Sequence, residues 1–507
     1  MAIVEPAEAQ ATEAQSVTSA RRKRTSFAGD VLKLVSGTSI AQALGILATP
    51  LLTRLYAPEA FGVLALFTSI TSIVGVVACL RYELAIMLPE RDEEAANLLA
   101  VSLLAVAGIT ALSVPIVTLG RPLLLQALNA PQLGPYLWLV PVTVFFGGVF
   151  QALNYWNSRT KQFGRLSVVR VVSSASTHAA KLGAGIAGYA TGGALIGGTV
   201  LGLALSTLEL GRRIWCDDNR LFRASVQARK MLQCIVCHQR FPMIDVWSAL
   251  LNTFSWQLPA LLLSRYFSAA VVGQYSLGLR VLQLPMSLIG GAIGQVFYQR
   301  AADAKAQGTL DRFVSSRFRQ LVAIGLFPML VIAVSGRQVF TVAFGEEWAQ
   351  AGVYAQILSI WTFFWFVSSP ISTLIPILGK QGFALAWNMV SIITRFISLW
   401  IGAATGSPET ALLLFAVSGA VLYCYAALKL FSLCGGAWIE MASLLGRAIL
   451  GFAPVAAALV LLNASPCPDW VSAAAAGLVL LLYYGREARR DSRVRSAVRR
   501  IKSASIR

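Results

Sequence analysis

Arg170, Ser174, Thr177, His178 and Lys181 lie in one apolar stretch and share one helical face, because positions three or four residues apart stack along the same side of a helix. Eleven positions separate Arg170 from Lys181, a rise of roughly 16 Å, about half the hydrocarbon thickness of a bilayer. Other stretches repeat the pattern: Ser276, Arg280, Gln283, Ser287 and Gly291 share a face, as do Asn388, Ser391, Arg395 and Ser398. Shorter stripes are Ser69, Ser72, Cys79 and Glu83; Asp245, Ser248 and Asn252; and Gln42, Thr49 and Thr53. An ionisable side chain in an apolar span is costly and usually faces a bundle interior or a wet cavity. Only Glu83, Glu209 and Asp245 are candidate acids there, so the cavity these faces imply is mainly cationic and suited to an anion. The Ser, Thr and Gly of the same faces serve equally well as helix-packing surface. Arg81 lies off the Ser72–Glu83 face near a membrane boundary and is expected to snorkel toward the headgroups.

The elements that carry these faces follow from composition. Of 507 residues 56% are hydrophobic and only 13% charged, with a mean hydropathy of +0.67, too little charge to cover a soluble surface. Apolar windows long enough to span fall near 31–53, 62–88, 96–119, 137–157, 166–188, 190–210, 242–264, 271–297, 318–340, 350–377, 384–402, 409–431, 442–463 and 468–485. The expectation is an all-α polytopic membrane protein of about fourteen helices. The formal net charge of +19 does not indicate a nucleic-acid partner, because the Lys and Arg sit in short loops between apolar runs, facing anionic lipid. With the N-terminus inside, 33 of the 42 Lys and Arg lie in cytoplasmic segments, five in spans and four in outer loops (Arg54, Arg121, Arg265 and Arg337). That asymmetry predicts cytoplasmic termini and an even number of spans. The first thirty residues lack an apolar core, so no cleavable signal peptide is expected.

The chain also repeats itself. Leu51-Leu52-Thr53-Arg54-Leu55-Tyr56 with Gly62 aligns without a gap on Leu262-Leu263-Ser264-Arg265-Tyr266-Phe267 with Gly273, and Lys161-Gln162 recurs as Lys380-Gln381. Both matches pair spans six apart, which predicts two six-helix lobes related by an axis along the membrane normal. The organisation expected is a basic disordered tail (1–30), an N-terminal lobe (31–210), a cytoplasmic basic linker (211–241), a C-terminal lobe (242–431), two additional helices (432–485) and a basic cytoplasmic tail (486–507).

Two motif matches carry no chemistry here. Cys234-Ile235-Val236-Cys237-His238 fits the haem c attachment pattern, but the orientation places it in the cytoplasm, and two His in the whole chain leave a zinc site short of ligands. Gly183-Ala184-Gly185-Ile186-Ala187-Gly188 fits a dinucleotide fingerprint without its βαβ unit, and close helix packing accounts for it. No Walker A sequence is present, so no ATP hydrolysis and no cofactor are expected. The seven Cys show no disulfide framework.

Two stretches carry a family resemblance. Thr49-Pro50-Leu51-Leu52-Thr53-Arg54-Leu55-Tyr56-Ala57-Pro58-Glu59-Ala60-Phe61-Gly62 and Leu80-Arg81-Tyr82-Glu83-Leu84-Ala85-Ile86-Met87-Leu88-Pro89 resemble the N-terminal signature of bacterial polysaccharide (O-antigen, Wzx-type) flippases. Asn154, Arg159 and Lys161 suit the same family. The resemblance implies the multidrug/oligosaccharidyl-lipid/polysaccharide exporter superfamily, whose members have two six-helix lobes, some with two further helices. It implies a non-enzymatic protein of the bacterial inner membrane that moves a polyprenyl-diphosphate-linked oligosaccharide between leaflets, with anionic lipid, a polysaccharide polymerase and chain-length components as partners. Arg280, Arg395 and Lys181 would then hold the diphosphate through charge-assisted hydrogen bonds, with Arg170 at the cytoplasmic mouth. His178, Gln283, Asn388 and Asn252 complete the expected substrate site, and Glu83, Asp245 and Arg54 are expected to couple or gate the movement. A multidrug cation antiporter of the same superfamily would need an acidic cavity. An O-antigen polymerase or ligase would need a large outer loop, and none is expected here.

Reporter fusions test the topology: fusions after Arg223 and Arg490 should report cytoplasm and one near Pro466 the outside. A cytoplasmic signal at Pro466 would eliminate the fourteen-span arrangement.

Overall fold

In lipid every backbone N–H and C=O must find its partner inside the segment, so the apolar runs have no alternative to helix. The computed structural model describes residues 27–284, 286, 300, 301, 303–305, 307–378, 380–435 and 438–490. Ser287 and Gly291 of the predicted polar face, residues 1–26 and the tail beyond 490 lie outside the described residues. The long helices are α1 (Phe27–Leu55), α2 (Pro58–Gly75), α3 (Asp92–Leu128), α4 (Leu139–Arg159), α5 (Phe163–Ile186) and α6 (Gly192–Ser225). A short helix α7 (Ala228–Cys237) precedes α8 (Val246–Tyr266), α9 (Ala269–Leu282), α10 (Leu310–Phe344), α11 (Ala349–Ser372), α12 (Gln381–Ala404) and α13 (Pro408–Leu433). Two more, α14 (Trp438–Ala464) and α15 (Asp469–Arg490), follow. Among the described residues nine helices are long and apolar enough to cross a membrane. Helices α1, α5, α8 and α9, which carry polar stripes, are not among the nine, whereas α2 and α12, which carry others, are.

The lobes meet where α2 crosses α9. A Cβ on Gly62 would lie 1.7 Å from the Ala269 carbonyl oxygen, and one on Gly273 would lie 1.9 Å from that of Pro58. Only glycine allows two backbones to approach so closely. These are the two glycines of the sequence repeat, and their reciprocal placement is what a two-fold relation between lobes requires. The rest of the first signature closes the same seam. The Thr53 carbonyl accepts a 2.9 Å hydrogen bond from Trp348 Nε1 and Phe61 packs edge-on against that indole at 4.9 Å, while within the N-terminal lobe the Tyr56 hydroxyl donates to the Lys181 carbonyl at 2.7 Å.

Several boundaries differ from expectation, each for a visible reason. The window at 62–88 is not one helix. The chain leaves α2 at Gly75 and turns through Leu80 and Arg81, both at positive φ (49° and 63°), before a single helical turn at Tyr82–Ala85. The window ending at 210 runs on to Ser225, because Trp156 Nε1 donates to Asp218 at 2.9 Å and Arg165 pairs with Asp217, anchoring four more turns to α4 and α5. The break after α5 falls at Gly188, φ 86°, and Thr191 then caps α6 by accepting from the Ala194 N–H at 3.3 Å.

Helices α14 and α15 pack on α10, and α10 gives them a reason to. Pro328 has no N–H to donate, which frees the Ile324 carbonyl; the Tyr484 hydroxyl donates to it at 2.7 Å, and Tyr483 donates to Ala323 at 2.8 Å. A second break sits at Ser335 (φ −118°, ψ 19°). There the Val334 carbonyl accepts from Gln356 Nε2 at 3.0 Å and from Asn463 Nδ2 at 3.1 Å.

Adding one methyl group at the seam should show how tightly it closes. Gly62→Ala and Gly273→Ala should each lower the thermal midpoint and yield of folded protein in fluorescence-detected size exclusion, since overpacking costs about 1–3 kcal/mol even against side chains. Gly183→Ala, with nothing within 4 Å of the added carbon, is the control and should behave as the parent. Equal stability of all three variants would show that the lobes do not meet at these glycines.

Candidate functional site

Helix geometry aims the first site. Gly273 faces the N-terminal lobe, and Arg280 lies seven residues on, two turns along the same face, so Arg280 also points across the seam. There it joins a cavity of about 600 Å³ walled by α1, α5 and α9. Arg170, Ser174, Thr177 and His178 of the α5 stripe line it, together with Thr38, Gln42 and Thr49 of α1 and with Gln283. Gly45 has no side chain to fill the middle. The point where its Cβ would stand is 3.3 Å from His178 Nε2 and 3.7 Å from Arg280 Nη2, so one group from each lobe reaches the same spot. Arg170 Nη1 donates to Thr38 Oγ1 at 2.5 Å and Ser174 to the Ala41 carbonyl at 2.8 Å, which ties α5 to α1. Arg280 remains exposed to the cavity and has no ion-pair partner among the described residues. Among the described residues no Asp or Glu lines this space, so an anion entering it meets positive charge that they do not compensate, in a partly dehydrated setting where Coulomb attraction is several-fold stronger than in water.

The repeat is unequal at this point. Ser69 stands seven residues after Gly62, as Arg280 does after Gly273, and it also crosses the seam, where its hydroxyl bonds Gln257 Oε1 at 3.2 Å. One side of the two-fold arrangement thus carries a cation and the other a neutral hydroxyl.

The expectation of one common cavity is corrected by the packing. Arg395, Asn388 and Asn252 sit in a separate space inside the C-terminal lobe, two adjoining chambers of about 410 and 250 Å³ walled by α8, α11, α12 and α13. Arg395 is buried there and already engaged. Its Nη1 donates to Ser255 Oγ at 2.8 Å and to the Ser255 carbonyl at 3.1 Å, its Nη2 donates to Tyr423 Oη at 3.1 Å, and its guanidinium lies 4.7 Å from the Trp256 ring centroid. Lys181 lines neither cavity; it is buried between α5 and α6, against the bare face of Gly198. Arg54 is exposed at the far end of α1.

Glu83 and Asp245 do come together, through a residue read differently from sequence. Arg81 does not snorkel: its Nε donates to Asp245 Oδ2 at 2.8 Å and its Nη1 lies 3.6 Å from Glu83 Oε1. Glu83 is fully buried and accepts from Gln151 Nε2 at 2.8 Å, while its second oxygen has no hydrogen-bond partner. Asp245 begins the C-terminal lobe, so this ion pair joins the lobes at the end where α1 starts. Arg159 organises the neighbouring loop, donating to the Ile86, Pro89 and Glu90 carbonyls and pairing with Asp92. Reading polar residues alone overlooked Gly45, Gln151, Trp256 and Tyr423. Trp256 was within reach of that reading, four residues beyond Asn252 and therefore on the same face.

Known proteins share this chain's pattern. A family model described as polysaccharide biosynthesis protein matches residues 51–353. The teichuronic acid biosynthesis protein TuaB of Bacillus subtilis is 24% identical over 182 residues, 36% of this chain and 38% of that protein, so the match takes in well under half the length of that relative. The succinoglycan biosynthesis transport protein ExoT of Rhizobium meliloti is 23% identical over 398 residues, 75% of this chain and 74% of that one. Among solved structures, the lipid II flippase MurJ in an inward closed conformation superposes with a TM-score of 0.71 at 11% identity, covering 90% of this chain and 98% of that one. An inward-facing multidrug resistance MATE family transporter gives 0.60 at 15% identity, covering 79% and 95%. The helices, the two lobes and the match over more than half the chain agree: the protein belongs to the polysaccharide biosynthesis protein family of multi-pass membrane proteins and has a transporter fold.

Proposed function

We propose that the protein is a flippase that carries a polyprenyl-diphosphate-linked oligosaccharide across the bacterial inner membrane by alternating access of its two lobes, with fourteen spans and both termini in the cytoplasm. The observation that carries this reading is the cavity between the lobes, lined by no acid among the described residues, where Arg280 and His178 converge on the gap at Gly45. A diphosphate is too polar to cross hydrocarbon unaided, and Arg280 supplies a planar fork for bidentate contact with its oxygens. Arg170 stands nearer the cytoplasmic mouth, and Gln283, Thr38 and Gln42 offer polar contacts around it. The same absence of acids disfavours a multidrug cation antiporter, although the fold is shared. Polymerase and chain-length components are the partners such a carrier would serve.

The Arg81–Asp245 pair is proposed as the cytoplasmic latch. It links the lobes at the end that must part to admit substrate, and Glu83 offers Arg81 a second partner within its own lobe when the latch opens.

Two outcomes follow. Arg280→Ala should lower transport of the lipid-linked sugar by at least about tenfold, as expected for loss of a charged hydrogen bond of ~1.5–3 kcal/mol; Arg280→Lys should recover part of it. Accumulation of lipid-linked oligosaccharide on the cytoplasmic leaflet is the readout, and normal export by Arg280→Ala protein would exclude the cationic-cavity mechanism. For the latch, Arg81→Asp and Asp245→Arg should each impair export, whereas the double swap should restore a substantial part of it. A double variant no better than either single would mean that the pair does not act across the lobes.

A further inference from the structure

We propose that the two-chamber cavity of the C-terminal lobe is a carbohydrate subsite that stacks hexopyranose rings on Trp256, Trp365 and Trp387. This assignment rests on the flippase reading, and it gives the second cavity a task that the diphosphate site does not perform.

The walls of this cavity are unusual for a membrane bundle. Trp256, Trp365, Trp387 and Tyr423 line it and stay only half-buried, unlike Trp361 behind them, which is enclosed and stacks on Trp365 at 6.0 Å. Trp256 meets Trp365 with ring centroids 4.8 Å apart, and Trp387 meets Tyr423 edge-on at 5.3 Å, so the accessible rings are held at fixed angles. Between them stand Asn252 and Asn388, both exposed and shared by the two chambers. Their amides make no hydrogen bond to any described residue. Serines 368, 369 and 372 complete the polar part of the larger chamber.

Charge narrows the ligand further. Among the described residues Arg395 is the one ionisable cation on these walls and no acid lines them; its hydrogen bonds are taken up by Ser255 and Tyr423. It therefore acts as a positioning residue that locks Trp256 and Tyr423 in place rather than as a phosphate clamp. A cationic guest would find no counter-charge among the described residues, and a prenyl tail would leave the two amides without partners in a dry space, whereas the Ser368 and Ser372 hydroxyls already donate to backbone carbonyls. A sugar ring fits both features. Its C–H face meets the electron-rich face of an indole, and its hydroxyls meet amides and serines that both donate and accept. The chambers lie in the size range of small-ligand pockets, about 300–1,000 Å³ when taken together. Helix α8, which lines them, packs on α9, which lines the cationic cavity, so about one helix diameter, roughly 10–12 Å, separates the two. A short oligosaccharide attached to a diphosphate at Arg280 covers that distance.

The test uses the purified full-length protein in nanodiscs and two probes: undecaprenyl diphosphate, and undecaprenyl diphosphate carrying a trisaccharide of glucose and galactose. The parent should bind the sugar-bearing lipid about tenfold more tightly, the gain expected from two ring stacks with their hydrogen bonds. Trp387→Ala and Trp256→Ala should remove most of that preference while leaving affinity for the bare lipid unchanged. Trp387→Phe, which keeps a ring face, should retain much of it. Arg280→Ala should weaken both lipids equally. Equal binding of the two lipids by the parent overturns the carbohydrate subsite, as does a tryptophan variant that keeps the full preference or weakens both lipids by the same factor. Binding of neither lipid by the parent would instead overturn the flippase reading itself.

Discussion

Everything in this molecule is arranged around one close backbone contact, the crossing of α2 and α9 at Gly62 and Gly273. Because those residues have no side chains, the two helices cross backbone to backbone. The crossing also sets direction. Seven residues beyond each glycine, Ser69 and Arg280 point into the opposite lobe, so a single substitution between otherwise equivalent positions makes one side of a two-fold arrangement cationic. Two first-lobe signature residues, Thr53 and Phe61, hold Trp348 of the other lobe against this contact. The first signature is therefore chiefly a device for joining lobes, and the cavity is a consequence of how they are joined.

Charge inside the bundle is handled in two contrasting ways. Where the lobes are pinned together, charges are paired: Arg81 is shared between Asp245 and Glu83. In the cavity between the lobes, the charge of Arg280 has no carboxylate partner among the described residues. An unpaired buried cation is expensive, and the cost is offset by openness to water at the cavity wall. Arg395 represents a third solution, a cation satisfied by hydroxyl, carbonyl and aromatic neighbours, whose effect is to hold rings in place.

The two C-terminal helices have a structural task visible in their contacts. Helix α10 contains Pro328, which cannot donate to the Ile324 carbonyl, and is kinked at Ser335, and both features leave carbonyls that lipid cannot satisfy. Tyr483, Tyr484 and Asn463 supply donors to those carbonyls, while the Tyr483 ring stacks on Phe327 at 3.9 Å. A helix that would otherwise be costly in a membrane is thereby held in a bent shape.

The helical membrane class, the approximate place of each helix, the internal repeat and the family are all legible in the amino-acid order alone. These properties are local or periodic: twenty apolar residues form a helix in lipid wherever they occur, and a glycine pair at equivalent spans is visible without coordinates. So is the set of polar residues that share a helical face, and Arg170, His178, Arg280 and Gln283 line one cavity. Which helix each face looks at is set by the packing in three dimensions. The α12 stripe looks at α8 rather than across the seam, so Arg395, Asn252 and Asn388 occupy a cavity of their own. The α5 stripe divides, with His178 turning to the cavity and Lys181, less than one turn further on, lying under α6. Arg81 leaves the lipid boundary because the chain turns at Leu80 and aims it at Asp245, 164 residues away. A helical stripe specifies an angle about one axis; contact between side chains depends on the relative placement of two axes, and that is set by packing at glycines, caps and kinks far along the chain.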